Sequence, residues 1–522
     1  MIRIREISMP PEHNVAQLSY EAARLLKLSN SKIRKLRLVR RSVDARKKPD
    51  VRIVYTVDVA VDGNEQKILK QSGCKRAAIA PADRYKPPKT APMSTRPVVV
   101  GFGPAGMFAS LVLALAGQRP LVLERGEDAL TRHEKVQKFF ETGILDTKSN
   151  VQFGEGGAGT FSDGKLNTGV HNPRIGWVLE QMVAAGASED ILFDAKPHVG
   201  TDVLLNVVRN IRQRIIDLGG EVRFNAQVTG IRQNGGQLTG LYVNDSVIAC
   251  DRAIFAIGHS ARDTFAMLND LGIAMEPKPF SMGVRIEHLQ ATVNEAQYGR
   301  NDPVLPPADY KLVKHLDEET VYTFCMCPGG YVVAAASEEG GVVTNGMSYS
   351  DRAGGNANAA LLVTLNPKDF PYEGPLGGVC WQRQIEEAAY ALSGSYQAPA
   401  QKVGDFLAKR PSTEAGMVRP TYRPGVVWCD LRTVLPEKIT GALEKAIPML
   451  DGNLKGFAAS DAVLTAPETR SSSPVRILRD ETKQSISLIG LYPTGEGAGY
   501  AGGIMSAAID GICSAEALLK GE

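Results

Sequence analysis

Three β-branched residues run straight into a cluster of glycines, Val98-Val99-Val100-Gly101-Phe102-Gly103-Pro104-Ala105-Gly106, and no other stretch limits the fold as tightly. An uninterrupted apolar triplet reads as a strand buried on both faces. Each glycine then meets its own steric demand. Gly101 permits a tight turn, Gly103 lets a pyrophosphate approach the backbone, and Gly106 lets the following helix pack close to the strand. Pro104 and Ala105 complete the phosphate-facing turn. The apolar helix pattern from Met107 to Ala116 puts free N–H groups and a positive dipole end beneath the phosphates.

A second short strand, Leu121-Val122-Leu123, ends in Glu124-Arg125. That is about 20 residues beyond the glycines, where a carboxylate accepts hydrogen bonds from the adenosine ribose hydroxyls. Glu124 would repel a 2′-phosphate, so the site is not built for NADP. Gly154 to Gly159 and Gly497 to Gly502 repeat the glycine spacing. Neither has a preceding strand together with a following helix and a terminal acid, so dinucleotide binding is assigned to the first motif alone.

At 522 residues the chain has room for two to four domains. No apolar run reaches the roughly 18 residues that a spanning helix needs, and the N-terminus lacks the apolar block of a secretory signal; the expected location is the cytoplasm, with no membrane partner. The seven cysteines are odd in number and mostly isolated, which fits reduced thiols, and without C-x-x-C pairs no structural metal is expected. The net charge of +3 hides an uneven distribution. Residues 1–97 hold 22 Lys+Arg against 9 Asp+Glu, net +13, so the remainder carries −10.

The basic portion reads as strand, helix and two longer strands (2–8, 14–26, 35–43 and 51–61), a small α+β domain resembling half of a ferredoxin-like fold. Its basic strand, Lys32 to Arg41, is either a solvated face or a surface for a phosphate-rich partner such as RNA; no interleaved aromatics support base stacking. A proline-rich linker covers residues 82–97. Beyond Glu124 come a polar helix (129–141), the glycine-rich loop 152–167 in which Gly157 exposes backbone and Ser162 and Lys165 supply donors, and an amphipathic helix from Thr201 to Leu218 with Thr201 as N-cap. Strands at 221–224, 241–248 and 252–257 are expected to complete this half of a doubly wound sheet. Residues 266–455 turn to strands separated by Pro- and Gly-rich loops, an antiparallel sheet that roofs the cofactor. Strand, glycine turn and apolar helix return at 487–519.

The pairing of an N-terminal glycine turn with a C-terminal strand-turn-helix resembles the FAD-dependent oxidoreductases of the glutathione-reductase-like superfamily, in the single-Rossmann branch with a split FAD domain. It is most similar to uncharacterised bacterial FAD-dependent dehydrogenases with a basic N-terminal module. The resemblance covers residues 97–522. It implies an α/β chain: a split FAD-binding Rossmann-like domain (97–265 and 456–522), an inserted mixed α+β substrate domain (266–455) and an N-terminal small α+β, ferredoxin-like domain (1–90). FAD is then the cofactor. Gly101, Gly103, Gly106 and Glu124 match the pyrophosphate turn and ribose acid, and Val228 the backbone contact to adenine. Ala256-Ile257-Gly258 resembles the return strand Ala-Thr-Gly. Gly495-Glu496-Gly497 stands where the superfamily usually has Gly-Asp, whose carboxylate binds the ribityl chain.

Beside a flavin the protein supplies position and electrostatics. Cys325-Met326-Cys327 presents either a redox pair or a thiolate, or else two small buried hydrophobes. His259 and Arg262 follow Gly258 and are placed near the flavin, His259 as acid or base or as a hydrogen-bonded structural residue. Tyr492 and Tyr500 flank the return turn, Arg285 is an anchor for an anionic substrate, and 469–476 shapes the substrate side. The expected activity is an FAD-dependent dehydrogenase acting on a small molecule, with NAD(P)H as a transient reductant. The alternative is a flavin-dependent RNA-modifying enzyme that holds RNA on the basic module.

Overall fold

The computed structural model describes residues 1–81, 85–169 and 171–521; Ala82, Asp83 and Arg84, at the start of the linker, lie outside the described residues. The basic N-terminal portion is a complete ferredoxin-like unit rather than half of one. Strand Ile2–Met9, helix Gln17–Leu26 and strands Ile33–Asp44 and Arg52–Val61 are followed by a second helix, Glu65–Ser72, and a fourth strand, Ala77–Ile79. The four strands order as second, third, first, fourth in one antiparallel sheet. The second helix is short and polar, with Ile68 and Leu69 packed partly buried against the core, and both its ends are capped. The Asn64 side chain accepts from Lys67 N, and Gly73 closes it in the left-handed conformation.

Several arginines of this module are paired within the chain, though its net positive charge remains. Arg3 and Arg37 both pair with Asp58, Arg34 pairs with Asp62 and Arg46 with Asp44. Arg41 reaches Asp190 and Asp194 of the body, where its backbone also forms a short parallel bridge. The apolar face does not stop at the module: Ile2, Leu18 and Val57 belong to the same buried cluster as Val284, Leu361 and Leu443 of the cap. The described part of the linker has no regular structure but is tacked down, the Tyr85 hydroxyl donating to Glu516 at 2.6 Å.

The cofactor body is a five-stranded parallel sheet ordered Leu491–Pro493, Ala253–Phe255, Val98–Val100, Leu121–Leu123, Glu221–Arg223. Strand order reverses beside Val98–Val100, the switch point at which α/β sheets bind ligands. Helix Pro104–Leu115 packs against Ile504–Lys520. That contact is close because a Cβ on Gly511 would lie 2.1 Å from the Ala105 carbonyl oxygen.

Three expectations are corrected here. Residues 241–248 do not join the parallel sheet; they belong to Gln237–Val243 and Ser246–Ala249, which with Val228–Asn234 form a separate antiparallel meander. Thr201 is not the N-cap of its helix. Gly200 holds that position with φ 82°, and the Thr201 hydroxyl donates to Ser162 O at 3.0 Å. The cap extends past residue 455, because Val463–Glu468 lies inside its seven-stranded sheet, between Phe280–Leu289 and Ala398–Lys402. That sheet also contains Asn356–Leu365 and Thr320–Cys327, while Tyr331–Ala334 and Thr344–Met347 form a hairpin of their own.

Candidate cofactor groove and the residues at its cap end

One groove runs from the first glycine turn to the underside of the cap. It is lined by Gly101, Gly103, Pro104 and Ala105 at one end, and by Gly502, Gly503 and Ile504 from the far end of the chain. Both helices that point into it lack a side-chain cap, and neither has an acid in its first turn. The N–H groups of their first turns therefore face the groove, while Gly503 N–H, just ahead of the second helix, is bonded to the Glu496 carboxyl.

The glycines divide into two kinds. A Cβ on Gly157 would lie 2.9 Å from Gly103 Cα, so these two backbones meet face to face along the groove. Gly106, Gly495 and Gly497, assigned above to cofactor contact, do not line it. They allow close packing instead: a Cβ on Gly106 would fall 1.9 Å from Gly101 O, one on Gly497 2.4 Å from Gly258 O, and one on Gly495 2.8 Å from Ala105 Cβ. Gly159, missed as a contact, lies against both helix starts, its added Cβ 3.0 Å from the Ile504 side chain and 3.7 Å from Pro104 Cγ.

Glu124 lines the groove, yet its carboxylate already holds three backbone groups. Oε2 accepts from Phe102 N at 2.8 Å, and Oε1 from Gly126 N at 2.9 Å and Gly154 N at 3.0 Å. It fixes the glycine turn to the loop before any ligand arrives. Oε2, with one donor, keeps a lone pair for a ribose hydroxyl. Arg125 also lines the groove, paired bidentately with Asp263 and lying over the Phe153 ring. Val228 and its unforeseen neighbours Ala226 and Gln227 form the wall beyond it, and Ala256 and Gly258 the floor.

At the cap end the groove gathers Lys165, His259, Cys325, Arg470 and Glu496, from five separate segments. Lys165 lies beside Asp163, at 3.7 Å, and its buried Nζ has no hydrogen-bond partner. Asp163 is itself held by Ser348 and Arg352. Burial pushes the Glu496 carboxyl up to about 7, against the opposing hydrogen bond from Gly503 N–H. Burial, with Arg470 alongside, pushes His259 down to about 4, leaving a neutral imidazole whose Nε2 has no partner.

Cys325 sits in a β-bulge with φ 41° where the strand register against Asn356–Leu365 slips. The bulge separates two cysteines that a regular strand would aim alike: Cys325 lines the groove and is half-buried, whereas Cys327 is fully buried behind it and outside the lining. A hydrogen bond from Cys327, aided by Lys165 and Arg285, lowers the Cys325 thiol, and the same bond raises that of Cys327.

Four other candidates are corrected. Arg285 lines the groove, but its five N–H groups are used by Glu468, Asn345, Asn358 and Cys325 O, so it has no donor left for an anionic substrate. Arg262 turns away into a buried ionic cluster with Glu386, Glu338 and Gln382. Burial pushes the Glu386 carboxyl up, but Arg262 and Arg470 outweigh it and hold it below the ordinary carboxylate range. Tyr492 and Tyr500 lie outside the groove, Tyr500 beneath the Arg479 guanidinium at 3.7 Å. Residues 469–476 do reach the substrate side, through Arg470 and Ser471. Among the described residues no cluster of three or more His, Cys, Asp or Glu side chains could hold a metal ion, and no helix is long and apolar enough to cross a membrane.

Comparison with known proteins places this architecture among relatives. Residues 279–471 match a family described as "FAD-dependent protein, C-terminal domain-like", and residues 1–60 match a domain of unknown function. An uncharacterized protein of Clostridium beijerinckii is 46% identical over 526 residues, covering 99% of this chain and 98% of its own length. Among solved structures, a flavoprotein/dehydrogenase from Cytophaga hutchinsonii is 12% identical at a TM-score of 0.36, covering 83% of this chain and 80% of that one. Glycine oxidase from Bacillus cereus is also 12% identical, at a TM-score of 0.32 over 82% of this chain and 98% of that one. Likenesses at that level carry no argument about chemistry.

Proposed function

The chain belongs to the same family as the Clostridium beijerinckii protein, and on that premise we propose that it is an FAD-dependent oxidoreductase acting on a small molecule. The observation that carries the reading is the single groove joining Gly103 to Gly503, with two uncapped helix starts facing it. An extended dinucleotide with a pyrophosphate in its middle suits that donor set: glycine backbones without side chains, helix N–H groups, and an acid at ribose distance. Gly101, Gly103, Pro104, Ala105 and Gly157 would hold the pyrophosphate, Glu124 the ribose and Val228 the adenine side. Gly106, Gly495 and Gly497 would serve by packing.

Bound FAD supplies two-electron chemistry, which no side chain of the groove can supply alone. The residues around its reactive end do the rest. Glu496 holds or releases a proton near neutral pH, in the position where a related acid would bind the ribityl chain. His259 stays neutral and offers an unused ring nitrogen. Cys325 presents a thiolate on the open wall, with Cys327 behind it.

NAD(P)H is the proposed transient reductant, docking from the open side. The reading places the protein in the cytoplasm, where its seven unpaired cysteines stay reduced. RNA is left out of it, because the matched family is described only as FAD-dependent and the basic strand has no interleaved aromatics to stack bases. The test is an anaerobic titration of purified protein with NADH, NADPH and candidate metabolites, following flavin absorbance. Yellow protein bleached by one of them is expected. Folded, colourless protein that takes up no FAD overturns the proposal.

A further inference from the structure

Arg132 is fully buried, stands outside the groove lining and has no part in the proposed function. It projects from the first turn of helix Ala129–Thr142 into the back of the loop 150–157. All five of its N–H groups donate to backbone carbonyl oxygens of that loop: Nε to Asn150 at 2.8 Å, Nη1 to Gly154 at 3.3 Å and Glu155 at 2.7 Å, Nη2 to Val151 at 2.9 Å and Gly157 at 3.0 Å. No donor is left for a carboxylate. The guanidinium carbon also lies over the Phe161 ring, 4.8 Å from its centre. Burial pushes the group down to about 10, against the pull of Glu124 and Glu155.

The surroundings are shaped to this side chain. A Cβ on Gly154, at φ 117°, would lie 2.4 Å from Arg132 Cδ. Glu155 returns the contact, its Oε2 accepting from Ala129 N at 2.8 Å, so that helix start and loop hold each other. On the opposite side Gly154 N donates to Glu124 at 3.0 Å and Gly156 N to Phe102 O at 2.9 Å. The loop therefore lies between the dinucleotide turn and a cation. Packing alone does not call for a charge at such a place, because burying one without a bonded counter-charge is costly.

Gly154 and Gly157 line the groove, and a carbonyl oxygen turned into it would repel an anion. We propose that Arg132 is a positioning residue for the phosphates of the dinucleotide: it draws the carbonyl oxygens of Gly154 and Gly157 back from the groove and sets a positive charge behind the bare backbone that an anionic ligand meets. This deepens the proposed function and rests on it for the identity of that ligand. Lysine could not replace it. An ammonium has the charge, but its three donors sit on one nitrogen and cannot span carbonyls from Asn150 to Gly157.

The test titrates the flavin-free full-length chain and Arg132→Ala with FAD, adenosine diphosphate and adenosine by calorimetry, with the thermal midpoint as the folding control. The variant should bind FAD and the diphosphate about tenfold more weakly and adenosine as before. Millimolar guanidinium ion, entering the space left by the side chain, should recover diphosphate binding, whereas equal sodium chloride or urea should not. Arg132→Lys serves as a second variant should alanine prevent folding, and it should weaken the phosphate-bearing ligands and spare adenosine in the same way. Unchanged diphosphate affinity in a folded variant, an equal loss for adenosine, or a folded Arg132→Ala that guanidinium does not restore would overturn the assignment. A native chain that takes up neither FAD nor adenosine diphosphate would sink the proposed function instead, so the two failures are told apart.

Discussion

At the dinucleotide end of the groove, Gly101, Gly103 and Gly157 offer bare backbone, and the one acid there, Glu124, is pinned by three N–H groups. At the cap end, Lys165, His259, Cys325 and Glu496 offer four titratable side chains from four segments, two of them with a buried nitrogen that has no hydrogen-bond partner. The first end is rigid and chemically plain, suited to holding a ligand in one pose. The second is where charge and protons can move. Such a division is expected when the cofactor carries the difficult chemistry and the protein has to position it and then manage its surroundings.

The sharpest way to break the contrast is to loosen the cap end from behind, through the acid that holds Arg470 of the groove wall. Glu386→Ala would strand Arg262 and Arg470 in the interior, and removing one member of a buried ion pair costs about 4 kcal/mol. Urea unfolding should register that loss; a change under about 1 kcal/mol would mean that the cluster is not a clamp. Next comes the glycine contact. Gly157→Ala adds a methyl group 2.9 Å from Gly103 Cα at a residue with φ 62°, and should cost about 2 kcal/mol in stability and lower flavin content several-fold. Normal flavin content in that variant would refute the bare-backbone account of the dinucleotide end.

Glu124→Gln is expected to be milder, about 1.5 kcal/mol, since an amide keeps one acceptor for the three N–H groups but loses the charge. Weakened adenosine diphosphate binding, read by calorimetry, should accompany it. The smallest effect concerns pH. The folded-state pKa of Glu496, about 7, lies above its ordinary value. Its contribution to stability is therefore full below the ordinary carboxylate range and lost as pH rises through about 7. The thermal midpoint of the apoprotein should fall between roughly pH 5 and pH 8, and Glu496→Gln should flatten that fall. An unchanged slope would mean that Glu496 does not titrate there.

The dinucleotide end was legible because its parts are neighbours in sequence. Strand, turn, helix and terminal acid lie within residues 98–125, and each glycine answers a local demand. The cap end was legible only as a set of names. Nothing in the letters says that Cys325 and Cys327 part company, since that depends on a bulge forced by pairing with Asn356–Leu365. Nor do they say that Arg285 spends every donor on Glu468 and its neighbours, or that Arg262 turns from the flavin towards Glu386. These outcomes are set by contacts more than 30 residues apart. The misread strands at 241–248 have a related cause: a short β-rich run looks the same in a parallel sheet and in a meander, and only its partners differ. The second half of the ferredoxin-like unit is hard to read because helix Glu65–Ser72 is short and polar, with only Ile68 and Leu69 packed partly buried against the core.

The N-terminal unit and the cap share one apolar cluster, with Ile2 and Leu18 belonging to it together with Leu361 and Leu443. A protein assembled in this way has no seam there along which to come apart. Removing the first ninety residues would not free an independent enzyme. It would open the cap's interior to water on its outer side, and the wall that carries Cys325 would go soft before the cofactor cleft itself was touched.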